Sequence, residues 1–412
     1  MNHNDKHFYI RAFAVTCLVI GIIIIGVTAF RNSMKDSKPM VFADSALLSG
    51  VWDGYKETYW ESGTGRTLDK QQNNITTSEG QSYTMMRAVW MDDQATFDKA
   101  WTWTKQQLRH SNDAVFAWRW GQKTDGSYGV LTDQGGQNSA ADADIDIAYA
   151  LLMAANRWQN PTYRAEATTT ILSIWEEEVS VIQGKPYLFG NDLEKKSQSA
   201  TAIVNPSYYA PYAFREFAKV DTAHDWTGLV DSTYTTLSSA MSSPLNTTTS
   251  ANLPPDWVYV NKSTGELTAP TVSTLTTNFS YDAIRTVWRV SLDYQWNKDK
   301  RAKALLAKMS FLADSYNKDG KLYSTYSHAG KTLVTDEVPA MYGATLGYFL
   351  IQKPDMSETI YVDKLKSMYN PATNRWKQPM SYYSDNWAWF GMALANEKLI
   401  NYADNEQATN SN

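Results

Sequence analysis

Cysteine is nearly absent from this chain of 412 residues, and its single member, Cys17, lies inside an apolar run near the N-terminus. The rest of the chain therefore has no disulfide, which suits a Gram-positive surface protein without excluding other compartments. Cys17 is also a poor lipoprotein acceptor, because Thr16 precedes it where a small Gly, Ala or Ser is expected.

Histidine is also scarce, and the chain has no excess of positive charge. With only 5 histidines in the chain, a metal-dependent hydrolase has little support and no metal or cofactor is predicted. The formal net charge of −5 argues against nucleic acid or an anionic surface as a partner. A neutral or cationic ligand fits this charge better.

Only one apolar run is long enough to cross a membrane, at residues 12–30. At ~1.5 Å per residue its length is roughly 28 Å, about one hydrocarbon core. A cleavable signal peptide, cut after residues 27–29, is the alternative, but the run exceeds the usual length of such peptides. We predict an uncleaved transmembrane anchor, with residues 1–11 in the cytoplasm.

The remainder of the chain is predicted to form one large domain. Residues 31–48 are interpreted as a mixed polar linker between membrane and domain, and residues 49–402 as the domain itself. The polar end, residues 403–412, lacks apolar periodicity and is predicted to be disordered.

Apolar residues recur at helical spacing throughout this domain, whereas strand-like alternation is rare, with residues 253–260 the best example. The fold class is therefore predicted to be all-α. Counting the segment after Glu79, we predict about eleven helices. The others are at residues 95–108, 141–158, 168–179, 210–219, 227–240, 281–294, 300–315, 338–351, 360–368 and 386–399.

Glu79 follows Ser78 at a predicted helix start. Ser78 with Gln81 fits a capping box, in which each side chain binds a backbone N–H of the first turn. Stabilisation of the helix start by the Glu79 charge is one interpretation of this motif. Gly80 favours another, because glycine in a first turn costs stability and indicates close approach of backbone or ligand. Glu79 would then face a cavity.

A second acidic cluster, Asp142, Asp144 and Asp146, opens another apolar helix. An EF-hand is rejected, because Ile147 and Met153 occupy the positions of its glycine and glutamate. Asp142 could serve as a helix N-cap. Three acids exceed what a cap needs, however, and Asp144 could point into the cavity reached by Glu79.

A third helix start carries Asp282 and, three residues later, Arg285. A surface ion pair, worth under about 1 kcal/mol, is one interpretation. The functional alternative is that an arginine beside an aspartate in a cleft favours the ionised carboxylate, which a general base requires.

These three motifs, in this order, resemble glycoside hydrolase family 8, whose pattern carries Ser-Glu-Gly-x-x-Tyr, Asp-Ala-Asp-x-Asp-Ile-Ala and Tyr-Asp-Ala-x-Arg helix starts. The resemblance implies an (α/α)6 barrel of inner and outer helices and inversion at the anomeric carbon. By position it implies that Glu79 is the general acid and Asp282 the general base. It further implies that Asp142 contacts the distorted central sugar, with Asp144 behind it.

Aromatic side chains are abundant, with 16 Trp and 25 Tyr, and sugar rings bind planar aromatic platforms. Trp118, Tyr208, Tyr209 and Trp257 lie in or next to predicted loops and are candidates for substrate binding, together with Asp144 and Arg285. The resemblance places Trp118 at a stacking position. Core packing is the alternative for each aromatic residue.

The predicted function is endo-acting hydrolysis of a β-1,4-linked glucan or a related exopolysaccharide outside the cell membrane, by a chain acting as a monomer. Xylanase or chitosanase activity is an alternative within the same family. A carbohydrate-binding protein with a decayed site is an alternative of another class, against which the joint presence of Glu79, Asp142 and Asp282 speaks.

Overall fold

A computed structural model of the chain describes residues 41–404. Within this range it contains fourteen α-helices. In chain order these are α1 Ser45–Tyr59, α2 Ser78–Met91, α3 Gln94–Gln107, α4 Ala141–Arg157, α5 Pro161–Glu178, α6 Asp192–Lys196, α7 Pro211–Val220, α8 Trp226–Ser242, α9 Ile284–Asn297, α10 Lys300–Lys308, α11 Phe311–Asp319, α12 Pro339–Gln352, α13 Pro354–Lys364 and α14 Tyr382–Ala395.

Six of these helices form a closed inner ring. Following the ring, α2 packs against α4, then come α7, α9, α12 and α14, and α14 returns to α2. Each of the first five is followed in sequence by an outer partner that packs on it, namely α3, α5, α8, α10 and α13, while α1 covers α14. The predicted all-α class and (α/α)6 barrel are therefore confirmed.

The inner helices are buried on nearly every side, because each is enclosed by two ring neighbours and one outer helix. In α12, every residue from Pro339 to Leu350 is buried. This helix meets α14 so closely that only glycine fits at the contact. A Cβ atom on Gly343 would lie 2.1 Å from the Trp387 carbonyl oxygen, and one on Gly391 would lie 2.1 Å from that of Gly343.

The strands are short, none exceeding four residues in the described part of the chain, and they lie in the loops between the helices. They are β1 Trp60–Glu61, β2 Arg66–Thr67, β3 Thr76–Thr77, β4 Arg119–Gln122, β5 Tyr128–Val130, β6 Val179–Ile182, β7 Lys185–Leu188, β8 Thr201–Val204, β9 Val258–Asn261, β10 Leu267–Thr268, β11 Thr325–Tyr326, β12 Thr332–Val334, β13 Tyr369–Asn370 and β14 Arg375–Trp376. Two three-stranded antiparallel sheets, β3-β4-β5 and β8-β9-β10, join loops at the end of the barrel where the inner helices begin.

Several predicted boundaries are wrong. The predicted strand at 253–260 is confined to Val258–Asn261, because Pro254 and Pro255 have no N–H to donate to a sheet. The predicted helix at 300–315 is interrupted between α10 and α11 at residues 309–310, where Met309 turns into the core.

The domain also begins and ends outside its predicted limits. Helix α1 starts within the predicted linker 31–48, and the Phe42 N–H donates to the Ala395 carbonyl oxygen at 3.1 Å. At the other end, Ala403 belongs to the fold, since its carbonyl oxygen accepts a hydrogen bond from Asn156 Nδ2 at 3.0 Å.

The predicted anchor at 12–30 and most of the predicted tail lie outside the described residues. Among residues 41–404, no helix is both long and apolar enough to cross a membrane.

Candidate active site

Glu79 lies in the first turn of inner helix α2. The helix is capped by Thr77, whose Oγ1 accepts from the Gly80 N–H at 3.0 Å, and the predicted Ser78–Gln81 capping box is therefore wrong. Gln81 is drawn away because its Oε1 accepts from the Thr67 N–H at 2.6 Å. A Cβ on Gly80 would lie 3.2 to 3.3 Å from side-chain atoms of Thr67, Thr77 and Tyr382, so these side chains, and no backbone segment, approach the turn closely.

Asp142 occupies the corresponding turn of α4, the next helix of the ring. Ala140 is the N-cap residue of this helix, so Asp142 has no capping role. Its Oδ2 accepts from Arg285 Nη1 at 2.8 Å, while its buried Oδ1 has no hydrogen-bond partner among the described residues. That free acceptor suits a hydroxyl group of a bound sugar.

Asp282 lies in the turn that precedes α9. Its Oδ1 accepts from Asn205 Nδ2 at 3.0 Å and from Arg285 Nη2, and its Oδ2 accepts from Trp257 Nε1 at 3.1 Å. Asp256 secures the turn, because its Oδ1 accepts from the Ala283 N–H at 2.9 Å. The helix consequently begins three residues after the predicted start at 281.

Arg285 joins the three carboxyl groups into one site. Its Nη1 donates to Glu79 Oε2 and to Asp142 Oδ2, both at 2.8 Å, and its Nη2 contacts Asp282. The Arg285 side chain is only 2% exposed, so its ion pair with Asp282 does not lie on the surface. The interpretation of these two residues as a surface ion pair is therefore wrong.

The environment of Glu79 suits a group that must carry a proton. Burial raises the pKa of Glu79 to about 7; the nearby Asp142 charge also raises it, while Arg285 and a hydrogen bond from Tyr382 lower it. Burial likewise raises the pKa of Asp142. The Glu79 side chain is 21% exposed, so a ligand in the cleft can reach it.

Three of the predicted aromatic residues border this cluster. Tyr208 lies 5.2 Å from the Arg285 guanidinium, and Trp257 packs edge-on against Tyr208 at 5.8 Å. Trp118 is half-buried, and its carbonyl oxygen accepts from the Ser78 N–H at 3.0 Å, which places it beside the Glu79 turn.

Two predicted substrate-binding residues lie away from the cleft. Tyr209 is 1% exposed, and its hydroxyl group is bonded to the backbone of Leu188. Asp144 is fully buried and accepts from the Phe116 N–H at 3.1 Å. Asp144 follows Asp142 by two residues, so the helix turns it by about 200° away from the cluster.

Two tyrosines at the start of α14 were not among the predicted site residues. The Tyr382 hydroxyl donates to Glu79 Oε1 at 2.9 Å, and the Tyr383 hydroxyl donates to the Tyr281 carbonyl oxygen. Ser381, which caps α14, was the sequence signal that could have placed both tyrosines at a helix start.

A cavity of about 560 Å³ adjoins the cluster through Tyr382. Its lining combines aromatic rings with amide and hydroxyl groups, including Tyr281, Trp376, Gln378 and Tyr383. Its size falls in the range of ligand sites, and its polar and aromatic lining suits sugar hydroxyl groups and ring faces. Within residues 41–404, no group of three or more His, Cys, Asp or Glu side chains is arranged to hold a metal ion.

Comparison with known proteins identifies the family of the chain. The family model of glycosyl hydrolases family 8 matches residues 34–390. An endoglucanase of Pseudomonas fluorescens (strain SBW25) is 31% identical over 241 residues, 57% of this chain and 58% of the relative. Endoglucanase A of Acetivibrio thermocellus is 28% identical over 66% of this chain and 54% of the relative. The match thus spans little more than half the length of these relatives.

Solved structures show the same fold. The endo-1,4-D-glucanase from Vibrio fischeri ES114 has a TM-score of 0.67 at 25% identity, covering 84% of this chain and 94% of that one. A cold-adapted family 8 xylanase also has a TM-score of 0.67, at 17% identity, covering 85% of this chain and 90% of that one. Since the family model covers most of the chain, this protein belongs to glycosyl hydrolase family 8, and its ring of helices is the (α/α)6 barrel of that family.

Proposed function

We propose that this protein hydrolyses a β-1,4-linked glucan or a related exopolysaccharide with inversion at the anomeric carbon. The observation that carries the proposal is the partly buried cluster in which Arg285 holds Glu79, Asp142 and Asp282 together. Inverting hydrolysis needs one protonated and one ionised carboxyl group on opposite faces of the sugar, and Glu79 and Asp282 are the proposed pair.

Glu79 is the proposed general acid. Its pKa, raised to about 7 by burial, leaves a proton available near neutral pH for the departing glycosidic oxygen. Tyr382 fixes one carboxyl oxygen and Arg285 the other, so the proton is presented in a defined direction.

Asp282 is the proposed general base. Asn205, Trp257 and Arg285 donate three hydrogen bonds to its two oxygens and so fix the orientation of the carboxyl group. The side chain is 33% exposed, so a water molecule can reach it and be activated for attack on the anomeric carbon.

Asp142 is proposed to hold the sugar at the point of cleavage, through the oxygen that Arg285 does not occupy. Trp118, which is half-buried, supplies a flat surface for a neighbouring sugar ring, whereas Tyr208 is buried and packs against Arg285 and Trp257. Trp257 has a different proposed role from the predicted platform, since its indole N–H orients Asp282.

The substrate class is proposed from two supports: matched relatives carry the name endoglucanase, and the chain has a net negative charge. Cleavage at internal bonds of the polysaccharide is proposed from the same names. Xylan is the second candidate, because one similar structure is that of a xylanase.

Incubation of the purified protein with soluble β-1,4-glucan, xylan, chitosan and bacterial exopolysaccharide tests the proposal. We expect new reducing ends from a β-1,4-glucan, and proton NMR of fresh product should show the α-anomer first. Initial β-anomer would exclude the inverting route, and no release from any polymer would favour a decayed carbohydrate-binding protein.

We also propose that the catalytic domain works outside the cell, held to the membrane by residues 12–30, and that it acts as a monomer. The proposal is supported by the length and hydrophobicity of that segment. A tethered hydrolase acts on polymer that leaves or covers its own cell, which favours an exopolysaccharide as the natural substrate. Analytical ultracentrifugation of the detergent-solubilised chain tests the oligomeric state.

A further inference from the structure

Two further carboxyl groups, outside the cluster around Arg285, form a pair behind the cleft. Asp144 is in the first turn of α4, Glu178 is the last residue of α5, and both are fully buried. Asp144 Oδ2 and Glu178 Oε2 have no donor among the described residues. The two side chains are nevertheless close enough to share a hydrogen bond, which forms only if one of them is protonated.

Electrostatics favour such a proton. Two ionised carboxylates side by side in a buried site repel each other, and both lose the solvation of their charge. Burial accordingly raises the pKa of Glu178 to about 8 and that of Asp144 well above its usual range. The two groups titrate as one coupled unit.

The other oxygen of each carboxyl group binds a segment that leads to the cleft. Asp144 Oδ1 accepts from the Phe116 N–H at 3.1 Å, two residues before Trp118. Glu178 Oε1 accepts from Ser139 Oγ at 2.6 Å, three residues before Asp142.

We propose that Asp144 and Glu178 share a proton, and that this hydrogen bond makes them positioning residues for Trp118 and Asp142. The inference rests on the proposed function for its effect on turnover. Without the proton, two like charges would separate the start of α4 from the end of α5 and displace both segments.

Charged groups around the pair leave this proton in place. Asp142 adds a further negative charge from α4. Asp192 of α6 accepts from the Ser139 N–H at 2.9 Å and forms an ion pair with Lys196, also at 2.9 Å. His110 lies near Asp192 and favours its ionised form. Because the Lys196 ammonium is paired with Asp192 and Glu177, its positive charge does not replace the proton between Asp144 and Glu178.

Two substitutions in the full-length chain separate positioning from packing. Glu178→Gln keeps the shape and donates an N–H to Asp144, whereas Glu178→Ala removes the hydrogen bond. We expect Glu178→Ala to raise KM by about two- to tenfold, the range that one lost hydrogen bond produces. Glu178→Gln should bring KM back towards the wild-type value. An unchanged KM in a folded Glu178→Ala protein would overturn the positioning role.

Thermal unfolding as a function of pH tests the shared proton without any substrate. The folded-state pKa of Glu178, about 8, lies above its ordinary value of 4.5, so the stability from this group is complete below pH 4.5 and is lost as the pH rises to about 8. The unfolding midpoint of the wild type should therefore fall relative to that of Glu178→Gln across this window.

Glu266→Gln, an exposed substitution, serves as the control and should follow the wild type at every pH. Parallel curves for the wild type and Glu178→Gln would show that no proton is shared. Because unfolding requires no glycan, a failure of the proposed function would appear only as absent turnover in the wild type, and the two failures can be told apart.

Discussion

At the scale of single residues, the charge balance around Arg285 explains why Glu79 can act as an acid. One guanidinium faces three carboxyl groups, Glu79, Asp142 and Asp282. If all three were ionised, the buried site would carry two uncompensated negative charges. Retention of a proton by one of them costs less. Burial raises the pKa of both Glu79 and Asp142, that of Glu79 to about 7, and Glu79 is the more exposed of the two.

Replacement of Glu79 by glutamine tests its role directly. Glutamine keeps the shape and one hydrogen-bond acceptor but has no acidic proton to transfer, so kcat on a β-1,4-glucan should fall by about 10²- to 10⁴-fold while circular dichroism is unchanged. Glu266→Gln makes the same chemical change at an exposed position and should keep wild-type turnover. Activity within tenfold of wild type in Glu79→Gln would exclude it as the acid.

The pH dependence of kcat/KM gives a second test at this scale. Glu79 works in its protonated form, so kcat/KM should decline as the pH rises through about 7, the pKa to which burial raises this group. Asp142→Asn removes a negative charge that raises the pKa of Glu79. In this variant the alkaline decline should move to lower pH, besides any loss of rate, and an unmoved decline would contradict the assignment.

At the scale of elements, the glycine contact between α12 and α14 sets how tightly the ring closes. Gly343 and Gly391 lie against each other's helix backbone, and Pro339 and Tyr382, at the starts of these helices, both line the cavity beside the site. The spacing of these two helices therefore sets the distance between Pro339 and Tyr382 in the lining of the cavity beside Glu79.

Gly343→Ala tests this contact. In an exposed helix, alanine would stabilise, but here its Cβ would lie 2.1 Å from the Trp387 carbonyl oxygen and would push the helices apart. We expect a loss of about 1–3 kcal/mol in the free energy of unfolding, measured with urea. Gly63→Ala, where a Cβ would meet no atom within 4 Å, is the matched control and should be nearly neutral.

At the scale of the whole molecule, attachment of the chain to a membrane is the prediction with most bearing on the natural substrate. The full-length protein should sediment with membranes, because residues 12–30 are long enough to span the hydrocarbon core. A chain beginning at residue 41 should be found in the soluble fraction. A mature protein in the culture medium with Phe30 at its N-terminus would show that the segment is a cleaved signal peptide.

The sequence by itself determined the all-α class, because helical periodicity of apolar residues is local and recurs in most of the segments that became helices. It also determined which helix starts carry the carboxyl groups, since Glu79, Asp142 and Asp282 each precede or open an apolar run whose period was visible. Boundaries were less accurate wherever a distant side chain decided them, as Asp256 does for the turn at Ser280–Ala283.

Only the tertiary structure decided which of these groups meet. Arg285 contacts Glu79 across 206 positions of the chain, and Tyr382 contacts Glu79 across 303, separations at which no local pattern relates two residues. Closure of the ring brings the helix N-termini to one end of the barrel, and so converts separate motifs into one site. It also encloses Asp144 and Tyr209 in the interior: two residues along the helix turn Asp144 by about 200° from Asp142, and the Tyr209 hydroxyl binds the Leu188 backbone.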